Sequence, residues 1–253
     1  MAFGEPHGLT DVYVRRLFEM LTRHCPRPFT LVCYSDRPRA LPAGVELRDC
    51  AGWTELDRAG MRPTTRKIGL FNPAYVEFES FLYLDLSLVI RRDMGELLDN
   101  AFARREDLVV VKNWHYDGYN SSVMRIRSGA LRVVYDAFVA GERPVQRVQG
   151  DQDFLHGTIV SRGLQASVAT FPPGQVVSFR LTMEAGRRDP GSARRKMLGA
   201  TIVKFHGEPK MDVAFARGYR WRQRYRELRR GNFRPVIPLA ELKAHWEQSG
   251  ADR

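Results

Sequence analysis

Short runs rich in β-branched and aromatic residues alternate along this chain with segments of helical spacing, and that alternation decides most of what it can fold into. FTLVCYSD (29–36), FLYLDLSLVI (81–90), DLVVVK (107–112), YNSSVMRI (119–126) and ATIVKFHGEPK (200–210) read as strands, with shorter extended pieces at SVATFPP and QVVSFR. Val14, Leu17, Phe18 and Leu21 predict a helix over 11–24 with Thr10 as its cap. Further helices are predicted over 129–140, from GDQDF onward, and over 212–230 and 238–247. GWTELDRAGMRPTTRKIGLFNP (52–73) predicts a loop and then a short helix stopped by Pro73. The Gly- and Arg-rich stretch 182–199 has no periodicity and predicts a loop. Strands alternating with helices give a layered α/β fold around a mostly parallel mixed sheet. With no repeat and no linker, one domain over 1–253 is expected, ending in a basic helical segment at about 212–253.

Ligands of such sheets bind at the C-terminal ends of strands, where Asp85, Asn120 to Ser122 and His206 all fall. Residues 83 to 93 read as one buried strand, so alternation puts Asp85 and Ser87 on one face, a carboxylate and a hydroxyl for a hard cation. In KFHGEPK, Gly207 permits close backbone approach and Lys210 adds a point charge, which suits a diphosphate. Asn, Gln and Asp in YNSSVM and GDQDF offer the directed donors and acceptors that read sugar hydroxyls.

Together and in this order, FLYLDLSLVI, YNSSVMRI, GDQDF and IVKFHGEPK resemble the GT-A type glycosyltransferases, especially family 8 and its bacterial relatives. Those proteins carry an Asp-x-Asp strand, an Asn-Ser-x-Val-Met strand, an Asp-Gln motif and a terminal His/Gly/Lys motif. The similarity runs from about residue 10 to 212 and includes a Trp followed by a Lys in the 52–73 segment. It implies a hexosyltransferase-like enzyme that moves a sugar from a nucleotide-diphosphate donor, a UDP-sugar, to a glycan, lipid-linked or protein acceptor with retention. Asp85, Ser87 and His206 would hold Mn2+ or Mg2+, and Asp85 would bridge metal and diphosphate. Lys67, Gly207 and Lys210 would bind the nucleotide diphosphate, Asn120 and Ser121 the sugar, and Asp151 and Gln152 would act near the reacting carbon.

Two departures from that pattern stand out. Ser87 replaces the second aspartate, and Lys204 stands three residues before Gly207 where the family has its metal-binding His, so the pattern also admits metal-independent catalysis. MAFGEPHGL is too short and too polar for the opening strand that holds the nucleotide base, so the fold is expected to lack it or to take it from upstream sequence. These departures keep a second reading in view, a degenerate relative that binds a nucleotide-sugar or glycan without catalysis.

A net charge of +11 suits a polyanionic partner. RGYRWRQRYRELRRGNFR (217–234) interleaves eight arginines with aromatics and supports a third reading, a polyanion- or membrane-surface-binding protein. Its cations fall on several helix faces with no RNA-binding motif, which argues against nucleic acid and leaves contact with anionic lipid as the stronger form. Cys25, Cys33 and Cys50 are odd in number and lack metal or disulfide spacing. With no signal-like start and no apolar run of membrane-spanning length, a cytoplasmic protein is expected, peripheral to the membrane at most. His24, His115 and His156 have no partners at diagnostic spacing, and no hydrolase, P-loop or zinc-protease motif occurs.

Overall fold

The computed structural model describes residues 11–144, 150–186, 188–207, 210–217 and 239–248. The Thr10 cap, the opening segment and residues 218–234 of the basic stretch lie outside the described residues, and with them the features behind the polyanion and membrane readings.

Helix α1 (Asp11–His24) turns Tyr13, Val14, Leu17, Met20 and Leu21 inward, as the spacing predicts. Its first turn carries Asp11 and its last Arg23 and His24, each at the end of the dipole that favours its charge. Strand β1 (Leu31–Ser35) pairs in parallel with β2 (Val45–Asp49) as a separate ribbon. Two 3-10 turns, Thr54–Leu56 and Pro63–Phe71, follow. Then come β3 (Ser80–Leu84), β4 (Leu88–Ile90), α2 (Gly95–Phe102), β5 (Leu108–Lys112), β6 (Tyr119–Arg127) and α3 (Arg132–Val139). After them come α4 (Asp151–Ser161), β7 (Val168–Thr170), β8 (Val176–Ser178), α5 (Phe179–Ala185) and α6 (Pro190–Gly199). Strand β9 (Ile202–Lys204), α7 (Met211–Arg217) and α8 (Leu239–Glu247) complete the described elements. Among these residues no helix is long and apolar enough to cross a membrane.

The main sheet runs β3-β6-β5-β7, and a smaller one runs β4-β9-β8. The pairs β5–β7 and β8–β9 are parallel, while β3–β6, β5–β6 and β4–β9 are antiparallel, so the architecture is mixed α/β. Alternation along β5 sends Val109 and Val111 into a core under α1 and α2, and Leu108 and Val110 into a second core under α3 and α4.

Two expectations are corrected. The run from 83 is not one strand. Asp85 N–H still bonds Ser122 C=O at 2.8 Å, extending the β3–β6 ladder, but Ser87 C=O already accepts from Phe205 N–H at 3.0 Å beside β9. The chain changes sheets across buried Leu86, leaving Asp85 and Ser87 at the seam. Residues 182–199 are largely helical rather than a loop. Asp189 caps α6 by accepting from Ser192 N–H, Pro190 opens its first turn, and Ala193 and Met197, four apart, are buried.

Among the described residues β1 pairs only with β2 and β3 only with β6. Between their free edges lies an apolar cavity of about 530 Å³, lined by consecutive residues of both strands, Leu31 to Tyr34 and Ser80 to Leu84. A cavity over one face of a strand would meet alternate residues, so this one lies in the plane of the strands. Leu17 and Leu21 of α1 cover one side, and Leu70 and Val76 line it as well.

Candidate active site

The seam between the two sheets gathers the charged groups. Lys67 enters from the 63–71 turn, which is seated by Gly69: a Cβ there would lie 2.6 Å from the Trp53 ring. Trp53 itself stacks on Tyr75 at 4.6 Å. Lys67 Nζ stands 2.8 Å from Asp85 Oδ1 and 3.6 Å from Asp151 Oδ2, and 5.4 Å from the Tyr83 ring centroid. From β9, Lys204 Nζ donates to Asp85 Oδ2 at 2.5 Å and to Ser87 Oγ at 2.6 Å. Tyr83 OH donates to Asp85 Oδ1 at 2.7 Å. All three acceptor oxygens of Asp85 and Ser87 are therefore engaged within the protein. The Lys67, Lys204 and Asp151 side chains are at most 10% exposed, and Asp85 opens slightly further to solvent at 16%.

The neighbouring groups come from β6 and α4. A register shift between Val110 and Val111 disturbs the β5–β6 ladder, and the consecutive residues Ser121 and Ser122 are both buried beside it. Ser121 Oγ donates a short hydrogen bond to Asp151 Oδ2 and lies 3.4 Å from Lys67 Nζ. Asp151 stands in the first turn of α4, where the helix dipole favours a carboxylate. Asn120 Nδ2 donates to Gln152 Oε1 at 3.4 Å, and Gln152 Nε2 donates to Tyr116 OH at 3.0 Å. Burial and the carboxylate of Asp153 push the Tyr116 phenol up to about 12, so it stays protonated at neutral pH.

Burial alone would raise the Asp85 carboxyl, but Lys204 and Lys67 overcome it and hold Asp85 well below the usual carboxylate range. Burial lowers Lys67 too, yet Asp151 and Asp85 reverse the sign and its ammonium is favoured. Lys204 is shifted the other way. Burial and the charge of Lys67 outweigh Asp85 and bring it below the ordinary lysine value.

His206 belongs to a different set of contacts. Its Nε2 shares a 2.6 Å hydrogen bond with Ser178 Oγ, its ring stacks on Trp114 at 5.6 Å, and His115 meets it edge-on at 5.9 Å. Burial, reinforced by Lys204, brings its pKa down to about 4, so it is neutral at pH 7. Gly207 adopts φ +67°, a left-handed turn, beside the Arg180 guanidinium. Lys210 is exposed at the approach to α7.

Of the residues singled out in the sequence, the fold brings Lys67, Asp85, Ser87, Ser121 and Asp151 into one cluster, with Asn120 and Gln152 bonded to each other beside it. His206 and Gly207 lie just past Lys204, and among the described residues Lys210 is not bonded to the cluster. The expected divalent cation on Asp85, Ser87 and His206 does not fit these surroundings. One carboxylate and one hydroxyl have their oxygens taken by ammonium and phenol donors, His206 Nε2 is engaged by Ser178, and two cations flank the position. Among the described residues no three His, Cys, Asp or Glu side chains are grouped to hold a metal. Tyr83, Trp114 and Tyr116 were not among the sequence candidates, and His115 was set aside for want of a partner at a diagnostic spacing. Tyr83 had a legible signal, two positions before Asp85 on the same face. The 114–116 loop had none.

No protein-family model and no curated protein matches the chain. Solved structures do. The galactosyltransferase LgtC in complex with donor and acceptor sugar analogues aligns with a TM-score of 0.57 at 14% identity, over 93% of this chain and 96% of that one. The glycosyltransferase GlyE of Streptococcus pneumoniae TIGR4 aligns at 0.56 and 14%, over 88% of this chain and 62% of its own. Mouse xyloside xylosyltransferase 1 aligns at 0.52 and 14%, over 82% and 95%. The chain therefore has the GT-A glycosyltransferase fold, as its motifs imply.

Proposed function

We propose that the protein transfers a sugar from a nucleoside diphosphate donor, a UDP-sugar, to the hydroxyl of a glycan, lipid-linked or protein acceptor. The observation that carries this reading is the meeting of Lys67, Asp85, Ser121 and Asp151, with Asn120 and Gln152 alongside, at the sheet seam of a GT-A fold. The donor and acceptor analogues named with LgtC supply the substrate class by analogy of fold. A hexosyl donor and retention at the anomeric carbon come from the family 8 resemblance alone.

The reaction breaks the bond between the anomeric carbon and the distal phosphate oxygen and forms one to the acceptor oxygen. With retention, the acceptor attacks from the side the diphosphate leaves, and its proton passes to the departing phosphate oxygen. Little covalent help is needed from the protein, because the chief demand is to meet the negative charge that grows on the diphosphate. A buried ammonium group meets that demand without reorganising. Asn120, Ser121 and Gln152 offer donors and acceptors to the sugar hydroxyls, and Asp151, fixed by Ser121 and Lys67, is assigned to the reacting carbon on the family 8 resemblance.

A panel of nucleotide sugars tests the proposal through thermal shift, followed by measured release of the nucleoside diphosphate. Release with one donor, slowed about 10²-fold or more in Asp151→Asn, is expected. Binding with no release, even with acceptors present, would favour the second reading, a non-catalytic nucleotide-sugar binder. The full internal pairing of Asp85 is the observation on that side. Absence of binding by every nucleotide sugar would sink both.

A further inference from the structure

We infer that Lys204 is the electrophile of this site, and that the donor diphosphate is held by its ammonium with no divalent metal. The inference rests on the glycosyl-transfer reading and names the group that does its electrostatic work.

Position is the first argument. Lys204 ends β9, paired to Leu88 on one side and to Ser178 on the other, so neighbours on both sides fix its backbone. Its Nζ sits between Asp85 Oδ2 and Ser87 Oγ, the two oxygens that a metal would have to chelate together. Among the described residues these bonds use two of the three N–H donors of an ammonium, which leaves one for a phosphate oxygen.

Charge is the second. Lys67 and Lys204 formally balance Asp85 and Asp151, so the cluster is neutral before any ligand arrives. A dication placed among these groups would face two ammonium ions at contact range in a poorly solvated site, with no spare carboxylate to offset it. A diphosphate brings the charge the cluster can accept. Lys67 cannot fill the role as well, since it already stands between two carboxylates.

The test is nucleotide binding measured by calorimetry with UDP, dTDP, GDP and ADP, in EDTA and in manganese, alongside manganese EPR on the protein alone. One nucleotide is expected to bind wild type equally in both buffers, with the free-ion manganese spectrum undiminished. Lys204→Met should lose tenfold or more in nucleotide affinity, with Lys204→Arg between the two, and far-UV CD checks that both fold. Ser87→Asp/Lys204→His should bind manganese and make nucleotide affinity EDTA-sensitive. Should Lys204→Met not fold, wild type in the two buffers still decides. Binding by wild type only in manganese, stoichiometric loss of the manganese signal, or unchanged affinity in a folded Lys204→Met overturns the inference and leaves glycosyl transfer standing. No binding of any nucleotide in either buffer overturns both.

Discussion

Replacing Asp85 by Asn would remove the single carboxylate that Lys204 touches while keeping the side-chain volume. Breaking a buried ion pair from one side costs about 3–5 kcal/mol, because the remaining charge stays buried without compensation. Here the lower end applies. Lys204 keeps Ser87 at 2.6 Å, the substituted carboxamide retains one acceptor oxygen, and Lys67 keeps Asp151. A loss of about 3 kcal/mol lowers the melting temperature of a chain this size by about 6–12 °C. The loss should also shrink with rising pH. Lys204 is already below its ordinary value, so between its folded and unfolded pKa the unfolded chain binds more protons and stability climbs with pH. Removing Asp85 extends that window downward. Urea unfolding at pH 7 and pH 9.5 measures both effects, and Asp85→Asn/Lys204→Met should regain most of the loss because no unpaired charge remains. An Asp85→Asn protein within about 0.5 kcal/mol of wild type at pH 7, or a double variant weaker than the single, would refute the coupled-pair account.

Three further outcomes are expected. In wild type the Asp85 contribution is full above the unfolded carboxyl value near 3.9 and fades as pH falls through its lower folded value, whereas Asp85→Asn should show no such fade in acid titrations followed by far-UV CD. His206, held near 4 in the fold against about 6.5 unfolded, makes stability rise with pH across that interval. His206→Asn should flatten the rise, read as denaturation midpoints at pH 4.5 and 7. Gly69→Ala would drive a methyl to 2.6 Å from the Trp53 ring and lose about 1–3 kcal/mol, seen as a lower urea midpoint with quenched or shifted tryptophan emission.

Much of the element pattern was legible because it rests on local signals. The α1 stripe and the β-branched runs at 108–112 and 119–127 each follow from spacing within one segment. Asp85, Ser121 and Asp151 could be singled out by residue type at strand and helix ends, and Lys67 by the family resemblance alone. What they touch could not, since the partners come from up to 119 positions away, as Lys204 does for Asp85. The metal expectation could not weigh this contact: a carboxylate two positions before a hydroxyl looks open in the sequence, and it is the opposing strand that supplies the ammonium. Residues 182–199 misled for a local reason. Helices of seven and ten residues leave too few turns for a clear stripe, and the Asp189-Pro190 cap signal was diluted by the surrounding glycines and arginines.

The cavity between β1 and β3 also bears on how the protein moves. Strands joined by a ladder move together, since a one-residue slip turns every side chain to the other face. Among the described residues no backbone hydrogen bond joins the β1–β2 ribbon to the four-stranded sheet, so the contact across the gap is made by side chains, which slide and tilt at far lower resistance. The cavity is thus a joint as much as a void. Among the described residues, a shift of the ribbon against the block that carries Asp85 and Lys204 would break no rung between them, so the rigidity of the charged cluster does not rest on the pairing of the ribbon.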